Sequence, residues 1–395
     1  MNILFISRIY PNEFNTDGRV IHSQAKELSK NHNVKVIAPR PMVPRFLKSK
    51  KSLWQEYDCV PYKETLDGIE IYRPKYIKIP NDRLSFLMEK TIVKAIINTI
   101  KKEFSGTKID LVHCHMTYPD GIVSIKIKKM YNIPIIISAR SSDLDLSIVD
   151  KKKKRWMENI YEQADKIVTP STQLKNKFKR YFNLDSEYIG NGIYPTELNI
   201  MPNKMLESQY KDKFMMLSIS SLISRKRIED NIKAVSLIKD KVPNLLYVVI
   251  GDGPEKNELI QLVDELNLQN KVIFLGQLDH KEAMSYIKVC DVFSLPSIRE
   301  TFGLVYLEAL FYNKPIILCK GEALSESLIN NEDAILVSKF DYNNIANYIK
   351  QLYQDEEYYG KIANNGNRFV KNNYTWKIIG EKINKQYMKV IKNAK

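Results

Sequence analysis

Two acids eight positions apart, Glu300 and Glu308, stand in the stretch Asp291 to Pro315, DVFSLPSIRETFGLVYLEALFYNKP. Phe293 to Pro296 reads as the end of a buried strand, Ser297 to Thr301 as a polar loop, and Leu304 to Phe311 as a helix opened by Gly303. Glu300 then lies in the loop and Glu308 about one and a half turns into the helix. The first N–H groups of a helix lack internal partners and carry the positive end of its dipole, so the geometry favours an anion, phosphate above all. Gly303 has no Cβ to obstruct a ligand approaching the backbone. Glu308 has Leu304, Leu307, Ala309, Phe311 and Tyr312 as helical neighbours, which places it against an apolar face where carboxylates are rarely left unpaired. Ligand hydroxyls would satisfy it, and so would a lysine from across the fold, with Glu300 then a solvated loop acid.

The elements that must position these acids are read from length and pattern. A chain of 395 residues fits two α/β domains of similar size. Short apolar runs alternate with helical patterns throughout, which argues for doubly wound sheets. Periodicity is lost from Glu197 to Asp212, which reads as a linker.

Glu300-x7-Glu308, with Phe302-Gly303 inside it and Pro296-Ser297 before it, resembles the signature of glycosyltransferase family 4, retaining enzymes of the GT-B fold. The resemblance implies an α/β fold of two doubly wound Rossmann-like domains facing across a cleft. Residues 1–195 would form an acceptor-binding domain and 196–375 a nucleotide-sugar-binding domain, with the last helix, 376–395, crossing back to the first. The N-terminal half, with its turn at Asp67 to Ile69 and RPKYIKIP at Arg73 to Pro80, is similar to bacterial teichuronic-acid and capsular-polysaccharide transferases.

Other stretches extend the likeness. Asn2 to Ser7 is a β-rich run followed by Thr16-Asp17-Gly18-Arg19 and a helical pattern, similar to the family's first glycine loop, in which Gly18 would face the donor's phosphates; Asp17 stands where a second glycine is common. His113 and His115 share one face of a strand, because side chains alternate. A zinc site is disfavoured, with no further His or Cys nearby. His-x-His before Pro-Asp-Gly resembles the family arrangement in which the second histidine reaches the donor sugar, which nominates His115. Ala139-Arg140-Ser141-Ser142-Asp143 resembles the variant Ala-Arg-Gly-Ser-Asp. Arg140 would grip an acceptor phosphate with its planar fork, and Asp143 would orient the acceptor or cap the next helix.

In the second half, Ser220 to Arg227 resembles the loop whose arginine and lysine hold the donor pyrophosphate. Lys226 matches, Ser221 replaces the arginine, and Arg225 and Arg227 stand ready as substitutes. Gly251-Asp252-Gly253-Pro254 is similar to the base-proximal glycine turn, and Gly276-Gln277-Leu278 resembles the loop that reads the base. The resemblance thus gives catalytic roles to His115, Glu300 and Lys226, and donor contacts to Gly18, Lys226, Gly251, Gly253, Glu300, Phe302, Gly303, Leu304 and Glu308. Arg140 and Asp143 would serve the acceptor. No cofactor and no metal are expected.

Charge narrows the partners. The net charge of +15 is uneven, with +13 on residues 1–195 and +2 on the remainder. A basic surface favours anionic lipid or a phosphorylated substrate; nucleic acid is disfavoured, since no binding motif or stacking platform accompanies the charge. Arg40 to Tyr62, with Phe46, Leu47 and Trp54 among lysines, and Leu84 to Lys102 both suit a membrane interface, although an ordinary core-facing helix has the pattern of the second. No apolar run reaches the roughly 18–20 residues of a membrane span, and the N-terminus lacks a signal-peptide core, so the expected location is cytoplasmic, peripheral on the inner face of the membrane. Cys59, Cys114, Cys290 and Cys319 are scattered without metal spacing and read as reduced thiols.

The expected activity is transfer of a sugar from a nucleotide sugar, a UDP-sugar by preference, to a polyprenyl-diphosphate-linked or oligosaccharide acceptor in cell-surface polysaccharide synthesis. Two other readings stand beside it: a sugar-nucleotide epimerase on the same fold, and a non-enzymatic basic protein of the membrane surface.

Overall fold

The computed structural model describes residues 1–13, 17–42, 59–78 and 85–394, the side chains of 85, 146, 147, 149 and 323 excepted. The chain divides into two compact units. One comprises Met1–Pro170, Leu174–Gly190 and Ile379–Lys395, and the other Ser171–Gln173 and Asn191–Ile378.

The N-terminal unit is built on an eight-stranded sheet. Its strands are β1 (Asn2–Ile6), β2 (Asn33–Ile37), β4 (Lys63–Leu66), β5 (Ile69–Tyr72), β7 (Leu111–His115), β8 (Ile135–Ser138), β9 (Lys166–Thr169) and β10 (Glu187–Tyr188). A separate parallel pair joins β3 (Arg40–Met42) to β6 (Lys75–Ile77). The order in the large sheet is β10-β9-β8-β7-β1-β2-β5-β4, parallel except where β4 runs against β5. The central strands are almost continuous apolar runs, as a sheet covered on both faces requires: Ile3 to Ile6 and Leu111 to His115 are buried throughout.

The C-terminal unit holds β11 (Phe214–Ile219), β12 (Leu245–Ile250), β13 (Val272–Gly276), β14 (Val292–Leu295), β15 (Ile316–Cys319) and β16 (Ile335–Val337). They form one parallel sheet in the order β13-β12-β11-β14-β15-β16. Within each unit the order reverses beside its first strand, between β1 and β7 in one and between β11 and β14 in the other. Loops leaving the carboxyl ends of the two strands diverge there, and doubly wound sheets place ligands in that crevice.

One expectation is corrected, one open alternative is narrowed, and one expectation holds for three residues of four. The aperiodic stretch Glu197 to Asp212 is not a bare linker but carries the helices Pro195–Leu198 and Lys204–Tyr210; the second is capped by Asn203, which accepts the Leu206 N–H at 3.1 Å, while Leu198, Leu206 and Tyr210 are buried. The helix Ser85–Glu103 turns most of its apolar residues inward, since Met88, Ile92, Ile96, Ile97 and Ile100 belong to the core of the N-terminal unit. What it exposes is Phe86 and Asn98 with Lys90, Lys94, Lys101 and Lys102, a mainly cationic stripe with one ring. Phe46, Leu47 and Trp54 lie outside the described residues. Finally, Cys114, Cys290 and Cys319 are buried as core thiols, while Cys59 is exposed. No helix among the described residues is long and apolar enough to cross a membrane.

Candidate functional site

The reversal between β11 and β14 brings together the loops Ser220–Arg227 and Pro296–Gly303. They are sewn to each other by their backbones: the Ile298 N–H donates to the Arg225 carbonyl at 2.7 Å, and the Ser297 hydroxyl donates to the same oxygen at 3.2 Å. Across this seam Lys226 Nζ meets a carboxylate oxygen of Glu300 in an ion pair, with 12% of each side chain exposed. Glu300 also accepts from the Ser297 hydroxyl at 3.3 Å. Lys226 ends a 3-10 turn, Ser224–Lys226, and Arg227 follows at φ 55, the bend that starts the helix Ile228–Ile238.

Gly303 caps the helix Leu304–Phe311 at φ 76. A Cβ there would lie 2.4 Å from the Tyr306 ring, whose hydroxyl donates to the Leu295 carbonyl at 2.6 Å. The left-handed backbone and that ring require glycine whatever a ligand demands. Gly251 and Gly253 are likewise held by close approach, since a Cβ on either would sit 1.8 Å from the Ser220 carbonyl oxygen and 2.3 Å from that of Leu222. Phe302 does not present its ring outward: it is 4% exposed and packs edge-on against Tyr374. Leu304 is half-buried in the first helical turn.

Two further groups differ from expectation. Glu308 has a protein partner, neither lysine nor ligand: His280 Nε2 lies 3.0 Å from its Oε1. Arg227 is occupied, donating through Nε and Nη2 to Asp230 at 2.9 and 2.8 Å, pairing through Nη1 with Glu229 at 2.5 Å, and covering the Phe340 ring at 4.4 Å. Arg225 is exposed, with one bond of 3.4 Å from Nη1 to the Arg299 carbonyl. Of the two arginines beside Lys226, only Arg225 is placed to meet a ligand without first breaking an ion pair.

The N-terminal unit has its own reversal, between β1 and β7, and it too is bridged by opposite charges. Arg8 donates its backbone N–H to Asp120 Oδ2 at 2.9 Å and its Nε to Oδ1 at 3.0 Å. Asp120 is fully buried in the first turn of the helix Asp120–Tyr131. Burial raises its carboxyl to about 6, outweighing the pull of Arg8 in the other direction. Sequence reasoning missed this pair and His280. The signal for Arg8 and Asp120 was available, because each is the charged residue that follows a central strand's carboxyl end.

His113 and His115 stack at 4.2 Å between ring centroids, and Phe5 packs against both. His113 is bonded at both nitrogens, Nδ1 to the Tyr387 hydroxyl at 2.6 Å and Nε2 to the Ser138 hydroxyl at 2.8 Å, and burial lowers it to about 3. His115 is fully buried, not displayed at the strand's end as a ligand contact would suggest, and neither of its nitrogens has a hydrogen-bond partner among the described residues. Burial and the neighbouring His113 keep its imidazole neutral, well below the usual histidine range.

Gly18 caps the helix Arg19–Ser29 at φ 84, where a Cβ would meet the Ile9 carbonyl oxygen at 2.4 Å. Asp143 does not reach outward: it accepts from the Thr117 backbone and hydroxyl at 3.1 Å and from the Arg140 N–H at 2.9 Å, tying two strand-end loops together. That makes it a structural clamp, which corrects its assignment to the acceptor. The half-buried Arg140 guanidinium makes no hydrogen bond among the described residues, and burial lowers its pKa. It has the fork to hold a phosphate or carboxylate and no protein acceptor using it.

Residues 204–369 match the family model of glycosyl transferases group 1, and residues 18–197 that of glycosyltransferase family 4. The chain is similar to a putative teichuronic acid biosynthesis glycosyltransferase of Bacillus subtilis, 24% identical over 371 residues and covering 92% of each protein. Its fold is similar to that of sucrose-phosphate synthase from Thermosynechococcus elongatus, with a TM-score of 0.76 at 20% identity over 99% of both chains. It is also similar to Anabaena HepE, solved in complex with UDP, at a TM-score of 0.74 and 18% identity over 98% of this chain and 100% of that one.

Proposed function

Because the chain belongs to glycosyltransferase family 4 and has the GT-B class of fold, we propose that this glycosyltransferase moves a sugar, with retention, from a UDP-sugar to a lipid-linked or saccharide acceptor in cell-surface polysaccharide synthesis. The observation that carries the reading is the Lys226–Glu300 pair at the reversal of the C-terminal sheet, beside a helix whose amino end begins at Gly303. The cation and the helix end hold the donor's diphosphate, and the charge that develops on it as it leaves is stabilised without a metal. Glu300 turns from Lys226 to the sugar hydroxyls once phosphate has taken its place. Glu308 takes the ribose hydroxyls, and Arg225 adds a second charge at the phosphates.

In the transfer step the acceptor hydroxyl forms its bond to the anomeric carbon on the face from which the diphosphate departs. The carbon–oxygen bond to the diphosphate breaks, and the acceptor's proton passes to the leaving phosphate oxygen. Arg140, with an unused guanidinium, holds an anionic group of the acceptor. The cationic stripe Lys90, Lys94, Lys101 and Lys102 supports a lipid-bound acceptor presented at an anionic membrane surface. Equal co-sedimentation with neutral and anionic vesicles would remove that part of the reading.

Replacing Glu308 by alanine is expected to weaken donor binding by roughly 1.5–3 kcal/mol, the worth of hydrogen bonds to a charged group. Unchanged UDP-sugar affinity by calorimetry rejects the role. Incubating donor without acceptor separates transfer from epimerisation, since an epimerase converts donor alone.

A further inference from the structure

Glu308 is the one acid of the donor site whose partner is a histidine, and that histidine has a particular place in the chain. His280 is the first residue of the helix His280–Val289, directly after Gln277, Leu278 and Asp279, the loop that leaves β13 at Gly276. The loop is pinned at both ends: the Gly276 carbonyl accepts the Gly251 N–H at 2.7 Å, and the Asp279 side chain accepts the Glu282 N–H at 2.9 Å. His280 is therefore fixed at its backbone while half of its side chain is exposed. Its Nε2 points at Glu308 Oε1, 3.0 Å away, and an acceptor carboxylate requires that this nitrogen carry the proton. Glu308 itself is 13% exposed and sits on a helix otherwise packed by Tyr306, Leu307, Ala309 and Leu310. Its Oε1 is thus engaged by His280, while Oε2 makes no hydrogen bond among the described residues.

We infer that His280 is a positioning residue for nucleotide recognition: by holding Oε1, it aims the remaining lone pairs of Glu308 at a ribose and so makes the site select ribonucleotides over deoxyribonucleotides. The inference rests on the donor-site reading given above and adds to it the group that sets its sugar specificity. A carboxylate free to rotate pays rotamer entropy to accept from vicinal hydroxyls, whereas one already held at a single oxygen pays less. The link also couples the loop beside the base to the acid beside the ribose, so that both read one nucleoside.

The experiment measures Kd by calorimetry for UDP and for 2′-deoxy-UDP on the full chain, in the wild type and in Glu308→Ala, His280→Ala and His280→Gln. The wild type is expected to prefer UDP by about tenfold, one charge-assisted hydrogen bond's worth. His280→Ala is expected to reduce that ratio to about twofold with little change in 2′-deoxy-UDP affinity, and His280→Gln, whose amide nitrogen can occupy the Nε2 position, to restore most of it. A merely structural role would weaken both nucleotides alike and leave the ratio unchanged, which overturns the inference. If Glu308→Ala leaves the wild-type ratio intact, or the wild type shows none, the ribose role of Glu308 fails first. A ratio abolished by Glu308→Ala and untouched by His280→Ala refutes the role of His280 alone.

Discussion

Each unit reverses its strand order beside its first strand, and each bridges that reversal with a cation and an acid, yet the two bridges are built differently. In the N-terminal unit Asp120 is fully buried and both its oxygens are held by Arg8, one of them through the backbone N–H. In the C-terminal unit Lys226 and Glu300 meet through side chains alone, each slightly exposed, and the acid's other supports, the Ser297 hydroxyl and the Thr301 N–H at 3.3 Å, come from its own loop and not from the lysine's. A backbone-locked pair cannot part without unfolding its loop, whereas two side chains can exchange each other for a ligand. The first arrangement is a fastener, and the second is the one proposed to receive a ligand. The buried polar networks differ in the same sense. Asn231 donates to Ser218, Tyr247 and the Ser294 carbonyl within 3.1 Å in the C-terminal sheet, while the N-terminal network is built on the imidazole of His113.

The largest effect comes from breaking the two bridges separately. Lys226→Met is expected to lower the rate of transfer by 10²–10³, the usual loss when a preorganised charge is removed from a transition state, while leaving the denaturation midpoint nearly unchanged. Asp120→Ala is expected to do the reverse, costing about 3 kcal/mol of stability because it leaves a guanidinium without its buried partner. Equal losses of stability from the two substitutions would erase the distinction.

A smaller effect sharpens it from the side of His115. A buried imidazole with neither nitrogen bonded costs the fold about 1–3 kcal/mol. His115→Phe is therefore expected to leave stability unchanged or raise it by about 1 kcal/mol, read from the denaturation midpoint. A destabilised variant would contradict that cost.

The smallest effect is the response to acid. His113 is lowered in the folded unit, so its contribution is complete above the ordinary histidine value of 6.5 and is lost as pH falls toward about 3, where the unfolded chain binds the proton and the folded one does not. Asp120, raised by burial, contributes in the opposite sense, gaining as pH falls through about 6. His113 and His115 thus oppose two buried acids raised by burial, Asp120 and Asp143, but both histidines lie on β7 itself, and protection against amide exchange, corrected for the intrinsic rate, is expected to fall in β7 before β14 as pH falls from 7 to 4.5. Simultaneous loss in both strands would contradict the contrast between the networks.

Much of the fold was legible because local pattern and backbone chemistry agreed. The strand–loop–helix order around Glu300 follows from an apolar run, a polar stretch and a glycine at positive φ, and Leu304–Phe311 is a helix over the expected residues. The helices inside Glu197 to Asp212 were not legible, since four- and seven-residue helices present no period and are fixed by tertiary burial of Leu198 and Leu206. Within the site, residue types were readable and partners were not. Asp143 is spent on the Thr117 backbone, Arg227 on Asp230, and Glu308 on His280, contacts separated by 26, 3 and 28 residues. The glycines were found for an incomplete reason, because Tyr306 and the Ser220 carbonyl demand them independently of any phosphate.

Calorimetric titration of UDP against uridine, on the wild type and on Lys226→Met, asks most directly whether a diphosphate binds where β11 and β14 diverge, held by Lys226 and the helix that starts at Gly303. The wild type is expected to bind UDP about a hundredfold more tightly than uridine, the worth of about two charge-assisted contacts, and most of this advantage is expected to disappear in Lys226→Met while uridine binding persists. Equal affinity for UDP and uridine, or an advantage that survives the loss of Lys226, would contradict it.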